Sequence, residues 1–535
     1  MTVPTRISVR TICAVALATI GGLLASAAPA QAQALQGLAL YEQHCSSCHT
    51  RPAADSRAPN REALSQRTPE SILEAMTTGA MVGNARALTD VQKRLIAENL
   101  ANRPLGASAS GDASTMKNVC AAKPLADVTK SAAWSGWGPD GTNGRFQSAA
   151  AAGLSAAQVP RLALKWAFAF PNGQSAYAQP AVAGGRVFVG SDNGFVYALD
   201  AASGCVFWSF RASAAVRTAI SVGPVGARTA IYFGDLKGNV YAVDATSGAQ
   251  IWTKHTDDHP LARITGAPTL VAGRLYVPVA SLEEGTGGNP NYECCTFRGA
   301  LVVYDAASGD EVWKAYTIAE PAKPTKKNSK GVQQYGPAGA AVWSAPTVDL
   351  KRNAVYVATG DAYTEPAADT SDAIMAFDIR NGRRLWAKQF TKGDAYLVSC
   401  APGRDNCPEV SGPDFDFGNS AILRNVAGGR SVLIAGQKSG AVWAVDPDNL
   451  GEIVWQRKVS PGSALGGLEW GSAADDGVGY FPVADGQIPA PAAGGARLRP
   501  GDRAALPGSR GGSSWNGGRR DAVPVYCVLS GQIGR

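Results

Sequence analysis

Cys45, Cys48 and His49 stand in the order Cys-x-x-Cys-His. Two thiols at that spacing can add across the vinyl groups of a haem, and the adjacent imidazole is then held under the iron. Zinc would need a second ligand pair nearby, and none follows. The expectation is one covalent haem c with His49 as proximal ligand. A second set of residues lies further along. Cys294 and Cys295 are adjacent; neighbouring cysteines either close a strained eight-membered ring or pair elsewhere. Asp414-Phe415-Asp416-Phe417-Gly418 sets two carboxylates in an apolar run, expected as a strand with both on one face. Glu283 and Glu284 end another apolar run, and Asp361 follows Thr359-Gly360. Burying carboxylates is costly without a partner, so these acids imply a bound cation or a proton-transfer role. Hard oxygen ligands of this kind suit Ca²⁺.

Helices must position the haem ligands. Leu35, Leu38, Leu40 and Tyr41 lead into the motif on a helical stretch. Thr89 with Gln92 forms a capping-box signature that opens a helix bearing Val91, Leu95, Ile96 and Leu100. No His lies between these helices, so the second axial ligand is Met76, in a helical stretch, or Met81, in the loop Gly79-Ala80-Met81-Val82-Gly83. This segment resembles the class I cytochromes c, in which the distal Met comes from the loop. The resemblance implies Met81.

The acids must be held by something larger. Five segments share one pattern of strand, Asp-anchored turn with Gly, and strand ending in Trp. Their Asp, Gly and Trp are Asp200, Gly204 and Trp208; Asp244, Gly248 and Trp252; Asp305, Gly309 and Trp313; Asp378, Gly382 and Trp386; and Asp446, Gly451 and Trp455. An isolated hairpin cannot bury its face, so the repeats must stack. Their uneven spacing favours propeller blades with insertions between them. Each Trp is expected to dock one blade on the next.

This repeat resembles that of the pyrroloquinoline quinone (PQQ) dehydrogenases, over about residues 134–490. Non-catalytic propellers of outer-membrane assembly carry a similar repeat, so the residues between the repeats decide. The resemblance implies a mainly β fold, an eight-bladed quinoprotein propeller behind a small all-α cytochrome c domain. It implies a Cys294–Cys295 disulfide on one face of the quinone and Trp343, eighteen residues before Asp361, beneath it. It makes Arg217, Thr265 and Lys438 contacts to PQQ, with Trp470 a weaker candidate lining the site. An ungapped match from Thr265 places the calcium-binding Glu at Glu283, with Glu284 the close alternative. Asp361, where many relatives have Asn, and Asp416 complete the metal set, and Asp416 is the general base. Haem and quinone on one chain imply electrons passing from an alcohol to an external cytochrome c. The N-terminal cytochrome and the Glu-Glu ahead of Tyr-x-Cys-Cys-x-Phe-Arg resemble the branch of the family that acts on polyvinyl alcohol, implying secondary hydroxyls of a polymer. The competing readings are a haem-bearing propeller without quinone and an inactive remnant.

Composition bounds these readings. The 535 residues suggest two to four domains. With 61 Gly, 32 Pro and 17% charged residues, the chain is turn-rich and globular. Only four His make a multi-histidine metal site untenable. The net charge of +7 does not indicate nucleic acid, because Arg497–Arg535 holds seven Arg and two Asp and carries +5 alone. Arg6 and Arg10 precede an apolar run and small residues near 28–32, the pattern of a cleaved export signal rather than a membrane span. The expected location is the periplasm, where disulfides persist; Cys400 and Cys407 are expected to form one. The expected organisation is a signal at 1–34, a cytochrome c domain at 35–103, a linker at 104–115, a propeller at 116–490, and at 491–535 an atypical Arg/Gly/Pro-rich tail without strand alternation, the pattern of a frameshifted or truncated reading frame, which would leave the ring open.

Overall fold

A computed structural model describes residues 28–50, 58–65, 67–77, 79–106, 111–130, 133–171, 173, 175–398, 400, 405–426, 429–475, 477–484, 495–498 and 525–530. Most of the expected export signal lies outside them. Two compact units divide between Ala109 and Ser110.

The first unit is helical. Its helices are Ala28–His44, Ser46–His49, Arg61–Ser65, Pro69–Thr77 and Asp90–Ala101. The capping box forms: Gln92 N–H donates to Thr89 Oγ1 at 3.3 Å, and Thr89 N–H to Gln92 Oε1 at 2.8 Å. The first and last helices cross at Gly37, where a Cβ would stand 2.4 Å from Leu95 O. Tyr41, Leu64, Ile72, Met76, Ile96 and Leu100 fill the core. Val91, expected on the apolar face, is instead exposed, because it stands in the first turn of the helix beyond the crossing.

The second unit is a series of antiparallel meanders. Sheets span residues 181–211, 221–255, 262–316, 347–389, 422–458 and 473–498, the last with three strands. Each repeat turn is built as its sequence requires. Asp200 Oδ1, for example, accepts the N–H groups of Ala202 and Ser203, and Gly204 takes φ 76°, a conformation that L side chains resist. That glycine is also where the neighbouring blade docks. Trp166 lies on Gly204, Trp208 on Gly248, Trp252 on Gly309, Trp313 on Gly382 and Trp386 on Gly451. The indole N–H of Trp208 reaches Ala245 O at 3.2 Å and that of Trp252 reaches Ala306 O at 3.0 Å. Among the described residues, four of the five repeat tryptophans, Trp208, Trp252, Trp313 and Trp386, thus take the docking role expected of them.

A Gly-rich strap, residues 134–144, runs past the six sheets just named. Trp134 pairs with Val182, Gly136 N–H donates to Ile220 O, and Gly141 O, Thr142 O and Gly144 O accept from Val348, Leu423 and Ala474. A Cβ on Gly141 would stand 2.6 Å from Val271, in the remaining sheet. Asn143 adds three bonds from its amide to Ala345 O, Pro346 O and Thr347 Oγ1.

The tail departs from expectation. Gly495–Leu498 extends the sixth sheet, and Val525–Ser530 pairs antiparallel with Ala163–Ala169, from Ala163↔Ser530 to Ala169↔Val525. The run Val525-Tyr526-Cys527-Val528-Leu529 has strong strand propensity, and the edge of the first strand accepts it. The first and last strands of the unit thus pair with each other.

Candidate active site

A cavity of about 250 Å³ opens among the segments that lead into the first strands of the sheets. Arg217, Thr265, Trp343 and Trp470, all singled out by sequence, line it together with Trp137 from the strap and Tyr177. The Trp343 and Trp470 rings meet edge-to-face, centroids 5.2 Å apart. The Arg217 guanidinium lies 4.9 Å from the Trp470 ring and 5.2 Å from Tyr177. Burial pulls its pKa below the ordinary arginine value. Two lining hydroxyls, Thr265 Oγ1 and Ser344 Oγ, are buried without a hydrogen-bond partner. Buried polar atoms rarely stay unpaired, so this wall suits a polar ligand.

Lys438 ties the acids to the same indole. Its Nζ lies 5.4 Å from the Trp343 ring centroid, 2.7 Å from Asp414 Oδ1 and 3.1 Å from Asp416 Oδ2. Burial opposes its charge, yet Asp416 and Asp414 hold its pKa well above the usual lysine value. Asp416 Oδ1 also accepts the Asp361 N–H at 2.6 Å. Ligand atoms of Glu284, Asp361 and Asp414 lie within 4.8 Å of one another. Asp361 Oδ2 is buried without a donor, and burial, Glu284, Asp416 and Asp414 push the Asp361 pKa well above the carboxylate range. A buried carboxylate oxygen with no donor, beside two others, suits a cation.

One expectation changes here. Residues 414–417 are not a strand, and Asp414 has φ 58°. The cause is Asp394, fully buried, whose carboxylate accepts the N–H groups of Asp414 at 3.1 Å and Phe415 at 2.8 Å and so replaces a strand partner. The two acids still converge, on Lys438 rather than by period two. Of the metal candidates, Glu284 and Asp361 join the carboxylate cluster, with Asp414, whereas Glu283 and Asp416 do not. Glu283 is turned to the loop that carries Cys294 and Cys295, and Asp416 to Lys438 and the Asp361 backbone.

Cys294 and Cys295 are bonded to each other, and Cys400 to Cys407. The vicinal pair belongs to the apolar cluster against which Trp343 packs. In the helical unit, Cys45 and Cys48 are unpaired thiols. His49 is buried, and its Nδ1 meets Pro59 O at 2.7 Å, which leaves Nε2 as the free ring nitrogen. Met81 packs with Cys45 against the core of that unit, and Met76 is buried within it.

Sequence reasoning missed four features. Trp137 and Tyr177 line the cavity but sit in no repeat. Cys120 and Cys205 form a third disulfide, which spacing alone did not pair. Asp394 carries no motif. Asp372 is fully buried with both carboxylate oxygens unpartnered and φ 48°; its only sequence signal is an acid directly before an apolar strand.

The PQQ_2 family model, described as outer membrane protein assembly factor BamB, matches residues 163–392 and 296–469. A polyvinylalcohol dehydrogenase of Pseudomonas sp is 43% identical over 478 residues, 86% of this chain and 74% of that protein. That of Sphingopyxis sp. (strain 113P3) is 40% identical over 488 residues, 87% of this chain and 74% of that protein. Among solved structures, the quinohemoprotein alcohol dehydrogenase ADHIIG of Pseudomonas putida aligns with a TM-score of 0.53 at 20% identity, covering 70% of this chain and 60% of that one. The level of identity to the two polyvinylalcohol dehydrogenases, over most of both chains, places this chain in the polyvinyl alcohol dehydrogenase family of PQQ-dependent alcohol dehydrogenases.

Proposed function

We propose that this chain is an exported quinohaemoprotein that oxidises secondary hydroxyls along polyvinyl alcohol and passes the electrons through its own haem c to an external cytochrome c. Among the described residues no helix is long and apolar enough to cross a membrane. The observation that carries the reading is the convergence at one indole. Trp343 borders the cavity with its unpartnered hydroxyls, packs on the apolar cluster that holds the vicinal disulfide, and faces the lysine that gathers the acids.

The residues present fit the groups that this reading requires. Arg217, Thr265, Trp343, Lys438, Trp470 and the Cys294–Cys295 pair would hold PQQ; Glu284, Asp361 and Asp414 would hold calcium; Cys45, Cys48, His49 and Met81 would hold haem. When bound, PQQ supplies a two-electron acceptor, calcium a Lewis acid and haem a one-electron carrier. The chain's own task is the proton. Asp416, 3% exposed, is fixed by the Asp361 N–H on one oxygen and by Lys438 on the other. A carboxylate oxygen keeps a second lone pair beyond one such bond, so Asp416 can take the substrate hydroxyl proton. Lys438 then remains beside a neutral acid rather than a carboxylate, a change that Asp414 offsets.

The test is stoichiometry on the purified full chain: haem by its reduced spectrum, quinone by extraction and calcium by elemental analysis. One of each per chain, with polyvinyl alcohol reducing the haem, is the expected result. Haem without any quinone uptake would make this a non-catalytic electron-transfer propeller.

A further inference from the structure

The one-turn helix Glu283–Thr286 sends two adjacent carboxylates to different tasks. Glu284 belongs with Asp361 and Asp414. The Glu283 carboxylate, with no exposed surface, is surrounded by donors instead. Its Oε1 accepts the Tyr292 hydroxyl at 3.0 Å and the Thr296 N–H at 3.0 Å. Its Oε2 accepts the Thr296 N–H at 3.1 Å and the Phe297 N–H at 2.8 Å. His259 Nε2 stands 3.3 Å from Oε1. Because His259 Nδ1 accepts the Leu261 N–H, the proton of the neutral ring sits on Nε2 and points at Glu283.

These donors flank one feature. Tyr292 precedes Cys294–Cys295, and Thr296 and Phe297 follow it, so a single carboxylate grips the disulfide loop on both sides. The loop is closed from elsewhere too. Tyr335 N–H donates to Cys294 O at 2.7 Å, and a Cβ on Gly287 would stand 2.6 Å from Cys294 Sγ and 2.9 Å from Cys295 Sγ. Turning Glu283 toward a cation would strip a buried carboxylate of all these bonds and leave two backbone N–H groups unsatisfied, each a substantial cost.

We propose that Glu283 is a positioning residue: with His259 and Tyr292 it holds the Cys294–Cys295 disulfide in place as one wall of the quinone site, and it is not a metal ligand. The inference rests on the proposed function for the word quinone, but the grip on the disulfide does not.

Four forms of the full chain test it: parent, Glu283→Gln, Tyr292→Phe and Glu284→Gln. Three quantities are read: calcium bound per chain, the dissociation constant for added PQQ by quenching of tryptophan emission, and the rate at which a water-soluble phosphine reduces Cys294–Cys295, followed by peptide mass. In Glu283→Gln either amide orientation sets an NH₂ against N–H donors. Its disulfide is expected to be reduced about tenfold faster and PQQ to bind about tenfold more weakly, the scale of one buried hydrogen bond, with calcium unchanged. Tyr292→Phe shifts both in the same direction by less, and carries the test if Glu283→Gln does not fold. Glu284→Gln is expected to lose calcium and keep the parental reduction rate. Loss of calcium in Glu283→Gln or Tyr292→Phe with a parental reduction rate overturns the proposal. If the parent itself takes up no PQQ, the proposed function fails, and the reduction rates alone decide the role of Glu283.

Discussion

Asp416 Oδ1 accepts the backbone N–H of Asp361 at 2.6 Å, and a Cβ on the preceding Gly360 would stand 2.9 Å from the same oxygen. The proposed base is therefore seated on the backbone of a residue whose side chain joins the carboxylate cluster. The two acids should separate by mutation. Asp416→Asn keeps shape and removes basicity, so haem and quinone content stay parental while turnover falls about 10²-fold or more. Asp361→Ala should instead lose calcium affinity, with partial recovery in excess calcium. Parental turnover of alcohol by Asp416→Asn would move the base to Asp414.

The Trp343 indole depends on an absent side chain. A Cβ on Gly418 would stand 2.2 Å from Trp343 Cη2, and the ring is already boxed by Trp470. Gly418→Ala should push the indole into the cavity. The expected cost is about 1–3 kcal/mol of stability, as for other overpacked cores, with PQQ affinity falling more than melting temperature suggests. Parental PQQ binding by a folded Gly418→Ala would mean that the indole does not border the quinone.

What was legible in the sequence follows from how local each cause is. The Asp-Gly-Trp repeat is read correctly because turn and docking site coincide. Gly248 needs φ 77° and also receives Trp208, so one short motif encodes both. The acid run was misread because its conformation is set from afar. Asp394, twenty residues before Asp414, takes the N–H groups that a strand partner would have taken. Glu283 and Glu284 were indistinguishable because adjacent residues at a helix start face different neighbours, and only the fold says which neighbour holds the donors. The tail looked unstructured because its two strands stand in an Arg/Gly/Pro-rich stretch, and the partner of the last one lies more than 350 residues away.

The proposed haem ligands give a spectroscopic prediction. Met81 packs with Cys45 at the edge of the helical core, whereas Met76 is inside it at 5% exposure on the helix Pro69–Thr77. Met81, partly buried, is the proposed distal ligand, and Met76 the core methionine. Met81→Ala should abolish the sulfur-to-iron charge-transfer band of the oxidised haem and lower its potential. Met76→Ala should keep the band and lose about 2–5 kcal/mol of stability, the usual range for a buried methionine. Loss of the band in Met76→Ala alone would reverse the assignment.

Asp372 sets a pH dependence. It is fully buried, and burial together with Asp394, Asp416 and Asp414 pushes its pKa well above the carboxylate range, against a smaller lowering contact from Ser371. In the unfolded chain it titrates near 4. Below that value both states hold the proton and Asp372 does not bias folding. As pH rises, the unfolded state ionises first while the folded state keeps its proton, so stability falls until the folded pKa is passed. Asp372→Asn cannot ionise and is free of this loss. In the calcium-free protein the melting temperatures of parent and variant should therefore differ by a constant amount below pH 4, and the variant should gain progressively on the parent from there upward. Calcium-free protein is required because a bound cation would favour ionised acids nearby and flatten the curve. Parallel curves from pH 4 to pH 8 would show that Asp372 is ionised in the folded chain and has a partner there.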